Sequence, residues 1–155
     1  MQLTGLLNFG LVLYFLPVTN SVSFIDCGSH SVATRSVKIS RCHIDPCVLF
    51  VGESVTIEVT FLAKADIVPG LFRLQSIIGG KVSDKIFVDD AVCSRFSPMC
   101  PIRSGGTYTY RFKGVVKRGA SDKLINGRLE LTNPKGIVFL CANFGMRILE
   151  SNAHL

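Results

Sequence analysis

The chain has 155 residues, 48% of them hydrophobic, and a formal net charge of +6 at pH 7. That length suffices for one domain with its own core and leaves too little chain for a second. The three histidines lie in no nucleophile or zinc-protease motif, and the glycine pairs lack the following Lys-Ser/Thr of a phosphate loop. We therefore expect no enzyme, no cofactor and no metal site. The adjacent acids Asp89 and Asp90 are interpreted as solvated.

The N-terminus has the layout of a secretory signal peptide. An apolar run covers residues 6–16, no Lys or Arg precedes Arg35, and the small residues Ser21 and Ser23 could occupy the −3 and −1 positions. A signal anchor is the alternative, but the run is short for a bilayer span. We assign residues 1–23 to the signal peptide, with cleavage between residues 20 and 23, and residues 24–155 to a secreted domain. The expected location is extracellular or the lysosomal lumen.

From residue 32 onward the apolar residues follow period two, which predicts strands. Residues 55–61 alternate most clearly, and residues 133–136 form a turn between the last two strands. The other predicted strands cover 37–39, 47–51, 71–78, 86–88, 107–113, 124–131 and 137–149. The pattern predicts an all-β fold, an immunoglobulin-like β-sandwich of about seven or eight antiparallel strands.

All six cysteines follow the signal segment, which indicates a disulfide framework in an oxidising compartment. Cys42 with Cys47 and Cys93 with Cys100 are close in sequence, which would leave Cys27 for Cys141. Spacing alone does not choose among the possible pairings. A bridge over more than a hundred residues would stabilise the fold by ~4–5 kcal/mol in the chain-entropy model.

Many large apolar side chains are expected to face the interior of the sandwich. They are Ile57, Val59, Phe61, Phe72, Leu74, Ile78, Phe87, Phe112, Leu129 and Phe139 or Phe144. The pattern is compatible with a filled core and equally with an apolar cavity between splayed sheets. A basic stretch contains Arg111, Lys113, Lys117 and Arg118. It is interpreted as a solvated face or as a contact for an anionic membrane or an acidic partner, and no nucleic-acid partner is expected.

Several motifs in order resemble those of a known family. They are Asp26-Cys27-Gly28-Ser29, Cys42 with Pro46-Cys47, Gly52-x-Ser54, Val59-Thr60-Phe61, Cys93 with Cys100-Pro101-Ile102, Thr107-Tyr108-x-Tyr110 and Cys141. Over the whole mature chain the sequence resembles the lipid-recognition (ML) domain family, and most closely its sterol carriers of the Niemann-Pick type C system. The resemblance implies an apolar cavity between the sheets and the disulfides Cys27–Cys141, Cys42–Cys47 and Cys93–Cys100.

The resemblance also implies the function. The protein would bind a sterol without catalysing a reaction on it. Acting as a monomer, it would pass the sterol to membranes or to a membrane-bound sterol transporter. Pocket residues of the sterol carriers correspond to Ile57, Val59, Leu74, Ile78, Val116 and Leu129. The full predicted lipid-binding set is Ile57, Val59, Phe61, Phe72, Leu74, Ile78, Phe87, Phe112, Val116 and Leu129.

The sequence departs from the sterol carriers around the pocket mouth. Lys85 replaces a gating Phe, for which Ile86 or Phe87 could substitute after a register shift, and Ala120 lies near a gating Tyr. Gly114-Val115 replaces an apolar-Pro pair, and Leu129 replaces a Trp. An innate-immune or chemosensory binder of other lipids, such as lipid A or fatty acids, is therefore the alternative function. The loop 89–101, with Val92 and Phe96, is the predicted edge that docks transiently on anionic membrane surfaces.

Overall fold

The computed structural model describes residues 21–42, 44–118 and 124–150 as two β-sheets packed face to face. The described strands are β1 (Ile25–Asp26), β2 (Val32–Ile39), β3 (Cys47–Phe50), β4 (Ser54–Ala63), β5 (Leu71–Ile78), β6 (Lys81–Asp89), β7 (Phe96–Ser97), β8 (Thr107–Val115), β9 (Leu124–Thr132) and β10 (Val138–Leu149). A short 3₁₀ turn, Val92–Arg95, precedes β7. The predicted all-β sandwich is confirmed.

The smaller sheet has the strand order β2-β4-β8-β7. Its central strand β4 shows why the sequence forms it, since Val55, Ile57, Val59 and Phe61 are all fully buried. The polar residues between them point to the other face. Because successive side chains in a strand alternate between faces, this pattern gives the sheet one dry face and one wet face.

The larger sheet has the order β1-β10-β9-β5-β6, with β3 also paired to β10. Strands β9 and β10 form the predicted hairpin through the turn at residues 133–136, where Gly136 has a φ of 81°. The strand β3 runs parallel to β10, which differs from the all-antiparallel prediction. The two strands are far apart in sequence, so no hairpin dictates their relative direction.

Two short strands were not predicted from the sequence, and two strands, β2 and β6, are clearly longer than predicted. The two-residue strands β1 and β7 are too short to show a period. The strand β6 begins at Lys81 rather than at residue 86. Its first half escaped prediction because a register shift there breaks the alternation of apolar and polar residues.

Three disulfides cross-link the chain. The structure pairs Cys27 with Cys141, Cys42 with Cys47 and Cys93 with Cys100, the pairs that the resemblance implies. The first connects the segment after β1 to the middle of β10, across a sequence separation of 114 residues. The backbone N–H of Cys27 also donates to the carbonyl of Cys141 at 3.1 Å.

Candidate functional site

The space between the two sheets is lined by large apolar side chains, which we call the inter-sheet interior. Nine of the ten predicted lipid-binding residues are buried there. They come from both sheets, and they are Ile57, Val59, Phe61, Phe72, Leu74, Phe87, Phe112, Val116 and Leu129. The candidate residues that sequence reasoning selected are therefore brought together, with one exception.

The exception is Ile78, which is 50% exposed. The sequence alternation predicts that it faces inward with Phe72 and Leu74. Ile78 is the last residue of β5 and pairs with Lys81 across the turn to β6, so it lies at the end of the sandwich. The predicted alternation therefore fails at this end of β5, where Gln75, Ser76 and Ile77 are all buried and the register shifts between Ser76 and Ile77.

A connected set of aromatic rings runs through the inter-sheet interior. Phe72 on β5 lies 4.7 Å from Tyr110 and 5.4 Å from Phe112 on β8, measured between ring centroids. Phe61 contacts Phe96, Tyr108 and Phe139 at 6.0–6.2 Å. Such rings carry large apolar area and prefer offset or edge contacts at these separations. The interior thus offers apolar and aromatic surface over most of its length.

The seam between β6 and β8 corresponds to the predicted pocket mouth. A β-bulge shifts the register of β6 between Leu74 and Gln75 of its partner, so that Phe87 pairs with Leu74 and turns inward. Lys85 pairs with Gln75 and is exposed. Phe87 is thus the buried aromatic residue of this part of β6, and its substitution for the gating Phe that Lys85 replaces stays a prediction.

Gly114 lies beneath two rings at this seam. A Cβ atom at this position would lie 2.7 Å from ring carbons of Phe87 and Phe112, which is closer than van der Waals contact. The two rings are 5.2 Å apart between centroids. Glycine at position 114 therefore leaves the space that the rings of Phe87 and Phe112 occupy. Ala120, the other predicted mouth position, lies outside the described residues, as does the apolar run 6–16 of the predicted signal peptide.

A buried polar network closes the other end of the seam. The hydroxyl of Tyr110 donates to Asp89 Oδ2 at 2.7 Å, and Arg95 Nε donates to the same oxygen at 2.7 Å. Burial, followed by the hydrogen bond to Asp89, raises the pKa of Tyr110, so its hydroxyl stays protonated as a donor. The network joins β6 of one sheet to β8 of the other.

The burial of Asp89 corrects the prediction that it is solvated. Asp89 pairs with Phe72, an inward-facing residue, so the register of β6 directs its side chain into the interior. Asp90, the next residue, is exposed as predicted. The sequence signal that could have located the network is the alternation of Phe87 with Asp89, followed by an arginine in the next turn.

The predicted docking loop is also corrected. Val92 and Phe96 are almost fully buried, because the 3₁₀ turn and β7 fold their apolar side chains against β8. Met99, at 70%, is the large apolar side chain that this loop exposes. Substituting Asp at position 92 or 96 would therefore disturb the core rather than a surface.

Exposed apolar side chains gather instead at one end of the sandwich. They are Ile78, Val82, Val115 and Leu124, which we call the apolar end. Hydrogen bonds connect the parts of this end, since the N–H of Gly52 donates to Val116 and the N–H of Val51 donates to Leu149. The exposed cations Lys81, Lys117 and Arg118 lie beside it in sequence. Arg118 is paired with Glu150 at 3.1 Å.

A cleft of 590 Å³ opens at the opposite end of the sandwich. Its apolar lining includes Ile67, Val68, Ile137 and Phe139. None of the predicted lipid-binding residues lines this cleft. In the described part of the chain, no helix has the length and apolar character that a membrane span requires.

Comparisons with known proteins agree with this architecture. A sequence profile of the ML domain family matches residues 21–148. The chain is 28% identical to the bovine protein named NPC intracellular cholesterol transporter 2, over 84% of this chain and 87% of the relative. It is also 28% identical to the zebrafish (Danio rerio) protein of the same name, over 90% of this chain and 95% of that one.

A solved structure supports the same fold. The crystal structure of a Niemann-Pick type C2 protein from the Japanese carpenter ant superposes with a TM-score of 0.68. The two proteins are 18% identical, and the superposition covers 81% of this chain and 98% of the ant chain. The profile match extends over most of the sequence, and the sandwich agrees with it. This chain belongs to the ML domain family.

Proposed function

We propose that this protein is a secreted carrier, without enzymatic activity, that binds a sterol between its two sheets and passes it to a membrane or to a membrane-bound partner. The observation that carries the proposal is the inter-sheet interior, where large apolar and aromatic residues of both sheets are buried together. Relatives named as cholesterol transporters support the choice of ligand.

The physical basis of binding is burial of apolar surface. Each square ångström of sterol surface removed from water contributes about 25 cal/mol. A rigid, flat ring system also loses little conformational freedom when it enters a slot between two sheets. Since the ring of Phe112 contacts those of Phe72 and Phe87 in the structure, a sterol has to displace some of these contacts.

The seam between β6 and β8 is the proposed access route. The strand β6 pairs only with β5 among the described strands, so it forms the edge of the larger sheet. Phe87 covers the seam over Gly114, while the bonds of Asp89 hold the far end of β6 to β8. Outward movement of Phe87 would open the interior and leave that hydrogen-bonded end in place.

The apolar end is the proposed surface for transfer. The side chains of Ile78, Val82, Val115 and Leu124 can enter the membrane interface, and neighbouring cations favour anionic lipids. In the double variant Ile78→Glu/Leu124→Glu we expect slower sterol transfer to anionic vesicles and unchanged sterol binding. The matched control is Val88→Glu/Ile137→Glu, which adds the same charges at exposed apolar positions elsewhere. Equal slowing by both pairs would contradict this surface.

Binding itself is tested with the secreted protein and a fluorescent sterol analogue. In Leu74→Trp, which adds bulk inside the interior, we expect the affinity to fall by about tenfold or more, the cost of overfilling a packed site. The control Ile25→Trp adds the same side chain at an exposed position. Thermal unfolding verifies that both variants fold. Unaltered sterol affinity in Leu74→Trp would exclude the interior site.

The second candidate is a binder of other, anionic lipids, and the exposed Lys85 beside the seam favours it. Mass spectrometry of the lipid that co-purifies with the secreted protein separates the two candidates. A fatty acid or an acidic glycolipid, together with weakened binding in Lys85→Gln, would favour the second. A neutral sterol bound equally by wild type and Lys85→Gln would favour the first.

A further inference from the structure

The outer face of the four-stranded sheet is polar and basic. The strands β2, β4 and β8 direct away from the interior the side chains Lys38, Thr56, Glu58, Thr60, Thr109, Arg111 and Lys113, which we call the outer face. Its hydroxyl and charged groups contrast with the apolar end, where the exposed aliphatic residues gather. The lipid function proposed above uses none of these side chains.

Cations are in excess on this face. Lys38, Arg111 and Lys113 lie on the strands, and Arg95 extends from the 3₁₀ turn beside β8. Glu58 is the one acid among the seven outer-face residues, so three cations less one carboxylate leave a formal charge of +2. Arg95 is paired with Asp89 at 2.7 Å and therefore adds guanidinium N–H donors rather than net charge. Arg111 is 2.6 Å from Glu58, and because a guanidinium has five N–H donors, this pair leaves donors for a ligand.

The register sets the spacing of these charges. Lys38 pairs with Glu58, and Glu58 pairs with Arg111, so the two cations lie on one line across three strands. Strands are spaced by ~4.8 Å, which puts their Cα atoms roughly 10 Å apart, and Lys113 follows Arg111 by ~7 Å along β8. A linear polyanion could contact several of these charges at once, whereas a single small anion could contact one or two.

A groove borders the same charges. It has a volume of 610 Å³ and is lined by Glu58, Arg111 and Thr109 from the sheet and by Ser94, Arg95, Phe96 and Ser97 from the adjoining segment. Hydroxyl and guanidinium groups suit the oxygens of sugars and sulfates, because both can hydrogen-bond to them. The lining offers no large exposed aliphatic side chain that would insert into a lipid layer.

We propose that this outer face and its groove bind a sulfated polysaccharide. The argument is charge complementarity over an extended polar surface with hydroxyl groups beside the cations. A membrane is the less favoured occupant, since stable attachment to a lipid surface draws on buried apolar area as well as charge. This site is separate from the inter-sheet interior and would act whatever lipid the protein carries.

The test compares two variants of equal net charge. Lys38→Gln/Lys113→Gln removes two cations from the outer face, and Lys64→Gln/Lys135→Gln removes two exposed cations elsewhere. With heparin as the probe, calorimetry at physiological salt should show an affinity loss of about tenfold for the first pair, as expected from two lost surface ion pairs. The control pair should change the affinity by less than about twofold.

Further probes distinguish a sulfated polysaccharide from an anionic lipid surface as the ligand of the outer face. Dextran sulfate should bind and neutral dextran should not, and rising salt should weaken binding because exposed charges are screened. Equal losses in the two double variants would overturn the proposal, since binding would then follow net charge alone. Binding to phosphatidylserine vesicles but not to heparin, abolished by Lys38→Gln/Lys113→Gln, would also overturn it. An unchanged thermal unfolding midpoint verifies that the variants are folded, so failure of the sterol proposal would leave the heparin result unaffected.

Discussion

Replacement of Tyr110 by Phe tests whether the buried network between β6 and β8 stabilises the sandwich. The substitution removes one hydroxyl from a site where Asp89 accepts hydrogen bonds from Tyr110, from Arg95 Nε and, at 3.2 Å, from the N–H of Ala91. A hydrogen bond to a charged group contributes roughly 1.5–3 kcal/mol, and Asp89 retains two of its three donors. We therefore expect the free energy of unfolding to fall by about 2 kcal/mol.

Tyr108 supplies a matched control on the same strand. Its hydroxyl accepts from the N–H of Arg103 at 2.9 Å and lies 3.4 Å from the carbonyl of Pro101, so both partners are neutral. Tyr108→Phe should cost about 1 kcal/mol, the usual value for a bond between neutral groups. Chemical denaturation with intact disulfides, followed by circular dichroism, gives both values. The same measurement on Asp89→Asn and on the double variant with Tyr110→Phe completes a double-mutant cycle.

The cycle isolates the interaction of Tyr110 with the charge of Asp89. We expect a coupling energy of about 1 kcal/mol or more, because the two side chains are in direct contact. If Tyr110→Phe costs no more than Tyr108→Phe, or if the coupling is close to zero, the charge of Asp89 does not strengthen the bond. The inference that this network holds the seam closed would then be wrong.

Three other predictions follow from the packing. Ile77→Glu should lower the free energy of unfolding by ~3 kcal/mol or more, because Ile77 is 7% exposed and the new carboxylate would be buried. The neighbouring change Ile78→Glu, at an exposed position, should alter it by less than ~0.5 kcal/mol. Chemical denaturation of both variants measures the difference. Replacing Cys27 and Cys141 by Ala should lower the free energy of unfolding by about 5 kcal/mol, because this disulfide closes a long loop. Replacing Cys42 and Cys47, which close a short loop, should lower it by roughly half as much. Equal losses of stability would refute the dependence on loop length. Gly114→Val should cost ~1–3 kcal/mol by displacing the rings of Phe87 and Phe112, and a stability equal to wild type would mean that the seam accommodates a side chain there.

Local pattern was sufficient for most of the fold. The alternation in β4 identified both its buried and its polar face, because one residue per pleat determines which side of a strand meets the core. The hairpin between β9 and β10 followed from its turn residues. The six cysteines and their neighbouring motifs indicated the family, since such a set rarely recurs in this order by chance.

Tertiary structure alone decided the details of the candidate site. Asp89 looks like a solvated loop acid in the sequence, and only its register opposite Phe72 directs it inward, toward Tyr110. The bulge in β6 that turns Phe87 inward and Lys85 outward depends on pairing with β5, which residue spacing within one strand does not encode. The burial of Val92 and Phe96 also depends on tertiary packing, because their loop folds against β8. The sequence by itself determined which residues are apolar and how they alternate, whereas pairing between distant strands determined which of them meet in the inter-sheet interior.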